Sequence, residues 1–313
     1  MKGAKDTMKQ IQLGNDGFCG PAVILGCMRL GGLDRTALNH LIHTSLECGI
    51  NFFDHADIYG GGDCEEHFGA ALQGDTSIRR EDLILQSKCG IRSGRYDSSK
   101  EHLIQAVDGI LKRLQTDYLD VLLIHRPDAL VEPEEVAVVF DDLYRSGKVR
   151  HFGVSNHNPM QIELLKRYVR QPLVINQLQF SLPVSNMVAA GMEVNMETPG
   201  SANRDGSVLD YSRLNDITIQ AWSPFQAPSW SGCFIGDERY PQLNRELDKL
   251  AEKYGASTTT IATAWILRHP AKMQVIAGTT KESRLKEIAQ AADIHLTREE
   301  WYTLYLAAGH PLP

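Results

Sequence analysis

The sequence predicts a (β/α)8 TIM barrel, an α/β fold, from three observations. Eight short runs rich in apolar and β-branched residues recur along the 313 residues of the chain. Stretches long enough for a crossover helix separate these runs. Polar residues stand where several successive runs end, which is where a barrel of this kind has its active site. We therefore expect a single closed domain over residues 1–313.

The eight predicted strands are short, and several are almost continuously apolar, as buried parallel strands are. They cover residues 22–28, 50–56, 83–89, 118–125, 151–156, 173–180, 217–223 and 273–278. Helical patterns occupy residues 65–73, 101–115, 133–148, 160–169, 283–292 and 297–308. An open, doubly wound sheet is the alternative architecture. Against it, the chain contains no G-x-G-x-x-G, the glycine pattern with which such sheets bind a dinucleotide.

The composition is typical of a globular cytoplasmic protein. The formal net charge of -7 argues against a nucleic-acid partner. No apolar run approaches the roughly 20 residues that span a bilayer, and the first residues lack the apolar segment of a signal peptide. The six cysteines are scattered without a CxxC pair, as reduced thiols in a cytoplasmic protein usually are. We expect neither a nucleic-acid nor a membrane partner, and the oligomeric state stays open.

Polar residues end or interrupt successive predicted strands. They are Asp54, Lys88, His125, Ser155 with Asn156, Gln177 and Ser223. Burying a polar side chain costs free energy unless a partner satisfies it, so folding alone does not explain such a series. Because the strand ends of a barrel converge on one pocket, we expect these side chains to share a site.

The stretch NFFDHADIYGGG, residues 51–62, contains a cluster that resembles a metal site. Alternate residues of a strand face opposite sides, so Asp54 faces away from His55 and Asp57. A metal ion in the barrel mouth therefore cannot bind Asp54 and His55 together. The chain also has no H-x-H or H-E-x-x-H to complete a site. We expect no metal, and a metal-dependent hydrolase built on these three residues is the alternative.

Four of the polar residues compose a general acid: Asp54, Tyr59, Lys88 and His125. A tyrosine near its ordinary pKa of about 10 is a poor proton donor, and an ammonium within about 4–6 Å lowers that pKa. Asp54 would keep Lys88 charged and oriented. The three glycines after Tyr59 would let its hydroxyl turn towards the pocket, and His125 would hydrogen-bond a substrate oxygen. Such a set suits protonation of a carbonyl oxygen as the carbon takes up hydride.

Seven motifs resemble the aldo-keto reductases in order and spacing. They are FDHADIYG, SKCG, LLIHRPD, GKVRHFGVSN, NQLQFSL, AWSPF and IAGTTKESRLKEI. The resemblance runs from about Ile24 to the final helix and is strongest to the bacterial YdhF-like oxidoreductases. It implies an enzyme that binds NADP(H) across the mouth of a TIM barrel. Such an enzyme reduces aldehydes or ketones to alcohols.

The resemblance also implies roles for individual residues. Asp54, Tyr59, Lys88 and His125 match the family tetrad, in which Tyr59 donates the proton and Tyr59 and His125 hold the carbonyl. Asp54 is also expected beside the cofactor. The other expected cofactor contacts follow the barrel rim: Met28 and Arg29 at the ribose; Ser155, Asn156 and Gln177 at the carboxamide; Trp222 stacked on the nicotinamide; Ser223, Pro224 and Phe225 along the pyrophosphate; Gly278, Thr279, Thr280 and Arg284 at the adenosine phosphate; and Glu287 at the adenine.

This chain departs from the family pattern at three of its positions. Trp222 stands where a tyrosine is usual, Gly278 where many members have lysine, and Ile288 where an asparagine is usual. Another flat aromatic ring preserves the stacking surface. The other two departures weaken the implied preference for NADPH, whose 2′-phosphate would bind Arg284.

The substrate itself stays open. The longest predicted loop over the mouth, residues 226–242, carries Trp230, Phe234 and Tyr240, which could line an apolar pocket or only anchor the loop. We expect Trp230 to contact a small-molecule carbonyl substrate. A regulatory subunit that binds NADP(H) with little turnover is the alternative function.

Overall fold

The fold is described by a computed structural model that covers residues 8–15 and 17–312. Its strands are β1 (Gln10–Gln12), β2 (Cys19–Pro21), β3 (Val23–Gly26), β4 (Phe52–Asp54), β5 (Ile84–Cys89), β6 (Ile91–Arg92), β7 (Arg95–Tyr96), β8 (Leu119–Ile124), β9 (Val149–Ser155), β10 (Leu173–Gln179), β11 (Thr218–Trp222) and β12 (Gln274–Ala277). Its α-helices are α1 (Arg35–Glu47), α2 (Asp63–Leu72), α3 (Lys100–Leu114), α4 (Pro133–Arg145), α5 (Pro159–Lys166), α6 (Asn186–Met192), α7 (Val208–Leu214), α8 (Pro241–Tyr254), α9 (Thr258–Leu267), α10 (Glu282–Gln290) and α11 (Arg298–Ala307).

Eight of these strands close a parallel barrel in the order β10-β11-β12-β3-β4-β5-β8-β9. The predicted TIM barrel is therefore confirmed, and each predicted strand corresponds to one strand of the barrel. The two short hairpins, β1–β2 and β6–β7, lie outside it. Register places Asp54 of β4 opposite Gln86 of β5, and Lys88 of β5 opposite Leu123 of β8. The strand ends thus bring the polar residues to one mouth.

The helices form where an apolar stripe can pack on the barrel. In α3 the buried residues are Leu103, Val107, Ile110, Leu111 and Leu114. Their spacing of three or four residues puts them on one face of a helix. The Ser99 hydroxyl accepts from the His102 backbone N–H and caps the first turn, and Gln115 ends the helix at a φ of 53°.

Several helices were not predicted from the sequence. These are α1, α8 and α9, together with α6 and α7 in the segment after β10. In α9, every residue from Thr260 to Leu267 is buried, so its sequence lacks the polar face that marks an amphipathic helix. The helices α6 and α7 are only seven residues long, which is too short for a clear period.

The structure tests the predictions about cellular location only in part. No helix among the described residues is long and apolar enough to cross a membrane. The predicted lack of a signal peptide concerns the N-terminal residues, of which 1–7 lie outside the described part of the chain. The cytoplasmic location and a single domain spanning all of residues 1–313 stay predictions.

Candidate active site

The candidate site lies at the C-terminal ends of the barrel strands, and the strand order divides it into two arcs. The first, which we call the tetrad arc, consists of β4, β5 and β8 with the turns that follow them. It carries Asp54, Tyr59, Lys88 and His125. The second, which we call the cofactor arc, consists of β9, β10, β11, β12 and β3 with their following turns, together with helix α10. All the expected cofactor contacts except Asp54 belong to it.

Lys88 and Asp54 form a buried ion pair in the tetrad arc. The Lys88 Nζ lies 2.7 Å from the Asp54 Oδ1, and the two side chains are 0% and 3% exposed. The ammonium also donates to the backbone carbonyl of His55 at 2.6 Å. Burial alone would lower the pKa of Lys88, but the Asp54 carboxylate and Tyr59 together raise that pKa above its ordinary value. Lys88 is therefore charged at neutral pH.

Buried glutamines support this ion pair from inside the barrel. The Nε2 groups of Gln86 and Gln177 donate to the Asp54 Oδ1 at 2.6 and 3.0 Å. Both also donate to the Gln220 Oε1, at 2.8 and 3.1 Å. The Gln220 amide donates in turn to Gln86 and to Gln274. Asp54 is thus held by amide donors in addition to Lys88, which fixes its carboxylate in place.

Sequence reasoning missed three members of this glutamine network: Gln86, Gln220 and Gln274. A signal was present, since each is a polar residue within a mostly apolar predicted strand, in LILQS, ITIQA and MQVIA. The desolvation cost that identified Asp54 and Lys88 applies equally to these amides. The fourth member, Gln177, was predicted as a cofactor contact, and in the structure its Nε2 is engaged by Asp54 and Gln220.

Tyr59 lies over Lys88 in the short helical turn that follows β4. The Lys88 Nζ is 5.0 Å from the centroid of the tyrosine ring. The ring meets the His125 ring edge to face, with centroids 6.0 Å apart. Gly60, Gly61 and Gly62 all have positive φ, at 61°, 69° and 108°, a conformation that glycine adopts without steric cost. The three glycines therefore permit the turn that brings Tyr59 over the mouth.

The pKa of Tyr59 is shifted in the direction opposite to the one predicted. Burial raises the pKa of Tyr59 above its ordinary value, and the Lys88 ammonium opposes this only in part. The expectation that Lys88 sets the net direction was wrong, because burial penalises the phenolate more than the ammonium favours it. Tyr59 is consequently a protonated phenol at neutral pH, which is the form that donates a proton.

His125 is a neutral imidazole in the same arc. Burial, the Lys88 ammonium and the Arg126 guanidinium, in that order, lower the pKa of His125 to about 2. Its Nδ1 is buried and has no hydrogen-bond partner among the described residues. A neutral imidazole carries one N–H donor. It can therefore hydrogen-bond a carbonyl oxygen placed beside Tyr59 without giving up a proton.

The two remaining polar residues of the DHAD stretch face the helices, as predicted. The His55 ring packs edge-on against Phe68 of α2, with centroids 4.6 Å apart. Burial and the nearby Glu65 raise the pKa of Asp57 to about 7. In the described part of the chain, no group of three or more His, Cys, Asp or Glu is placed to hold a metal ion. The cluster seen in the sequence is therefore divided between the mouth and the barrel exterior.

The nicotinamide end of the cofactor arc is joined by hydrogen bonds. The Asn156 amide donates to the Ser155 Oγ at 2.8 Å, and Ser155 donates to the Gln177 carbonyl at 3.1 Å. The Trp222 indole N–H donates to the Asn156 Oδ1 at 3.1 Å. Ser155, Asn156 and Trp222 are thus brought together as the sequence predicted. The Trp222 ring offers a flat surface on which a planar ring could stack.

The adenosine end of the arc is open. Gly278, Thr279 and Thr280 follow β12 directly, and the Thr279 Oγ1 accepts from the Lys281 N–H just before α10. Arg29 joins this region to β3, since its guanidinium donates to the Gly278 carbonyl at 3.2 Å. The remaining expected contacts at the ends of β3 and β11 and on α10 also lie on this rim: Met28, Ser223, Pro224, Phe225, Arg284 and Glu287.

The fit of this rim to a phosphate depends on Arg284. It is exposed in the first turn of α10, and none of the described residues forms an ion pair or hydrogen bond with it. A guanidinium beside a helix N-terminus favours an anion, and its planar fork suits a phosphate. With the flat Trp222 ring at the other end of the arc, these residues fit a nicotinamide dinucleotide that carries a 2′-phosphate.

The loop over residues 226–242 is only partly as expected. The Trp230 ring stacks on Trp222, with centroids 5.3 Å apart and planes 21° apart, and Trp230 is 63% exposed. Phe234, in contrast, is fully buried and packs against Tyr240. Of the two alternatives for Phe234, lining a pocket or anchoring the loop, the structure shows the second, because its ring is buried in the core. Trp230 is the member of the three that faces the mouth.

Comparison with known proteins places these features in one family. The model of the Aldo/keto reductase family matches residues 22–305. Oxidoreductase YdhF of Escherichia coli is 35% identical, with 93% of this chain and 94% of YdhF covered. A 6-dehydroglucose reductase of Novosphingobium aromaticivorans is also 35% identical, with 96% of each chain covered. An aldo-keto reductase from Klebsiella pneumoniae, solved in complex with NADPH, shares the fold with a TM-score of 0.77 at 23% identity, covering 98% of this chain and 97% of its own.

Proposed function

The chain belongs to the aldo/keto reductase family, and we propose that it is an NADPH-dependent oxidoreductase that reduces aldehydes or ketones of small molecules to alcohols. The observation that carries the proposal is the protonation pattern of the tetrad arc. A charged Lys88, a protonated Tyr59 and a neutral His125 stand together at one mouth. This is the pattern that an acid needs in order to donate one proton to a carbonyl oxygen.

The four residues divide the work of proton transfer. When bound, NADPH supplies the hydride that reduces the carbonyl carbon. His125 holds the carbonyl oxygen by its N–H and directs it towards the Tyr59 hydroxyl. Tyr59 gives its proton to that oxygen as negative charge develops there, and the Lys88 ammonium stabilises the phenolate that remains. Asp54, fixed by Gln86 and Gln177, keeps the ammonium in place.

The cofactor arc would hold NADPH along its rim. Trp222 would stack on the nicotinamide, and Ser155 and Asn156 would bind the carboxamide. Ser223, Pro224 and Phe225 would follow the pyrophosphate, and Arg284 would bind the 2′-phosphate. The support is the guanidinium of Arg284, which has no partner in the described part of the chain, together with the NADPH bound in the Klebsiella pneumoniae protein of the same fold.

The experiment that tests the proposal is a turnover panel. Purified protein is mixed with NADPH and with aromatic aldehydes, dicarbonyls and keto-sugars, and NADPH absorbance is followed. A sugar aldehyde belongs in the panel because one relative is a 6-dehydroglucose reductase. We expect steady NADPH oxidation with at least one class and no change in rate after a metal chelator is added. Tight NADPH binding without turnover on any compound would contradict the proposal and favour a regulatory subunit.

A further inference from the structure

Arg126 is a charged residue at the mouth that the proposed reaction does not use. It follows His125 in the motif LLIHRPD, just past the end of β8. Its side chain is half-buried, and no hydrogen bond or ion pair joins it to another residue in the described ranges. A partly buried guanidinium without an acceptor is unusual, since burying a charge costs free energy unless it is paired.

The Arg126 side chain extends across the mouth from one arc to the other. Two strands, β9 and β10, separate β8 from β11 in the barrel order. The guanidinium carbon nevertheless lies 5.9 Å from the centroid of the Trp222 ring, at the end of β11. The positive charge therefore lies over the space between His125 and Trp222, where a substrate would enter.

The carboxylates of Asp128 and Asp97 have hydrogen-bond or ion-pair partners other than Arg126. Asp128 accepts from the backbone N–H groups of Ser98 and Leu130, at 2.8 and 2.9 Å. Asp97, on the hairpin side of the mouth, pairs with Arg92 at 3.0 Å. The Lys88 charge is balanced by Asp54. Within the described ranges, Arg126 thus adds a positive charge without an ion-pair partner at the mouth of a protein whose net charge is -7.

From this geometry we infer that Arg126 binds an oxyanion carried by the substrate, so that the enzyme prefers carbonyl compounds bearing a carboxylate or sulfonate. The inference rests on the proposed function and names its substrate class. A guanidinium fork binds a carboxylate through two parallel N–H bonds, and its partial burial strengthens that contact. The Trp222 ring lies beside the guanidinium, and the exposed Trp230 ring stacked on it offers a flat wall for the body of the same molecule.

The test compares matched substrates in matched variants. The probes are 4-carboxybenzaldehyde, its neutral methyl ester and 4-formylbenzenesulfonate, each reduced with NADPH by the wild type, Arg126→Gln and Arg126→Lys. Arg95→Gln is the control, because it removes one exposed positive charge from the neighbouring hairpin. We expect Arg126→Gln to lower kcat/KM for the carboxylate at least about tenfold and to leave the ester within about threefold. Arg126→Lys should retain part of the preference, and Arg95→Gln should leave the ratio of carboxylate to ester unchanged.

The sulfonate probe distinguishes two ways in which Arg126 would recognise the anion. If Arg126→Gln lowers kcat/KM only for the planar carboxylate, the guanidinium binds it through two parallel hydrogen bonds. If kcat/KM for the sulfonate falls as much, the negative charge of the substrate alone is recognised. Either result supports the inference. Equal losses for the anions and the ester would overturn it, because Arg126 would then act by holding Trp222 through the cation–π contact.

A binding measurement keeps the inference separate from the proposed function. Tryptophan fluorescence of the NADPH-loaded protein is titrated with benzoate and with neutral benzamide. Arg126→Gln should weaken benzoate binding at least about tenfold and leave benzamide binding unchanged, whether or not any aldehyde is reduced. Benzoate binding that does not depend on Arg126 would contradict the inference. A lack of turnover in the wild type would contradict only the proposed function.

Discussion

The two arcs of the barrel mouth differ in how their polar groups are satisfied. In the tetrad arc, Lys88 and Asp54 are buried and bonded to each other, and Asp54 also accepts from glutamine amides. In the cofactor arc, Met28 is 52% exposed, and Arg284 is exposed without an ion pair within the described part of the chain. The difference teaches that the buried groups of the tetrad arc are held in place before anything binds, whereas the cofactor arc leaves its adenosine end free for a ligand.

The backbone shows the same contrast. In the tetrad arc the left-handed conformations after β4 fall on glycines. In the cofactor arc they fall on Asn156 and Ser223, and in the loop over the mouth on Ser229 and Trp230. Residues other than glycine hold such angles only when their surroundings support them, as the hydrogen bonds of Asn156 do. Part of the backbone strain therefore lies where a ligand is expected to bind, and the rest lies at other positions, such as Gln115 and Lys272.

The largest expected effect comes from breaking the buried pair. Lys88→Met leaves the Asp54 carboxylate buried without its counter-charge, so the free energy of unfolding should fall by about 3–5 kcal/mol. Urea denaturation measures this loss. The double variant Lys88→Met/Asp54→Asn should recover part of it, because neither of these two positions then carries a buried charge. A loss below about 1 kcal/mol in Lys88→Met would show that the tetrad arc is not the tightly paired region that the contrast requires.

Disruption of the glutamine network should lower the free energy of unfolding by a smaller amount. Gln220→Leu removes hydrogen bonds to Gln86, Gln177 and Gln274 inside the barrel. The free energy of unfolding should fall by about 1–3 kcal/mol, because buried amide groups lose partners. Gln242→Leu, on the exposed side of α8, is the matched control and should be neutral. If the two variants are equally stable in urea, the network contributes nothing to holding Asp54.

Arg284 tests the open end of the cofactor arc. Arg284→Gln should weaken NADPH binding about tenfold and leave NADH binding unchanged, since only NADPH carries the 2′-phosphate. Fluorescence quenching gives both affinities. The stability of the variant should match the wild type, because Arg284 has no partner to lose within the described residues. Equal weakening of both cofactors would show that the phosphate assignment is wrong.

The dependence of the reduction rate on pH should be the smallest of these effects. The pKa of Tyr59 is raised and the pKa of His125 is lowered to about 2, so both groups keep their required forms from about pH 5 to about pH 9. The main loss of rate should come as the pH rises past the tyrosine pKa, with Asp57 adding only a small change at lower pH. A shallow step near the Asp57 pKa of about 7 should disappear in Asp57→Asn. An acid limb that survives in Asp57→Asn would indicate a His125 that becomes charged.

The barrel and the four tetrad residues could be predicted because strand periodicity and residue chemistry are local signals. The pairing of the glutamines with one another could not, since the contact of Gln220 with Gln86 joins residues 134 positions apart and depends on closure of the barrel. The direction of the Tyr59 pKa shift depends on burial, which the motif alone does not reveal. The contact of Arg126 with Trp222 could not be predicted either, because it depends on the strand order of the barrel.

The most direct test of the central claim, that Tyr59 donates the proton at a preorganised mouth, is single-turnover reduction by Tyr59→Phe. The variant is loaded with NADPH, mixed with an aldehyde that the wild type reduces, and followed by NADPH absorbance. We predict that NADPH affinity stays within about twofold of the wild type while the rate falls at least about 100-fold. A rate within about threefold of the wild type, with NADPH bound, would contradict the claim.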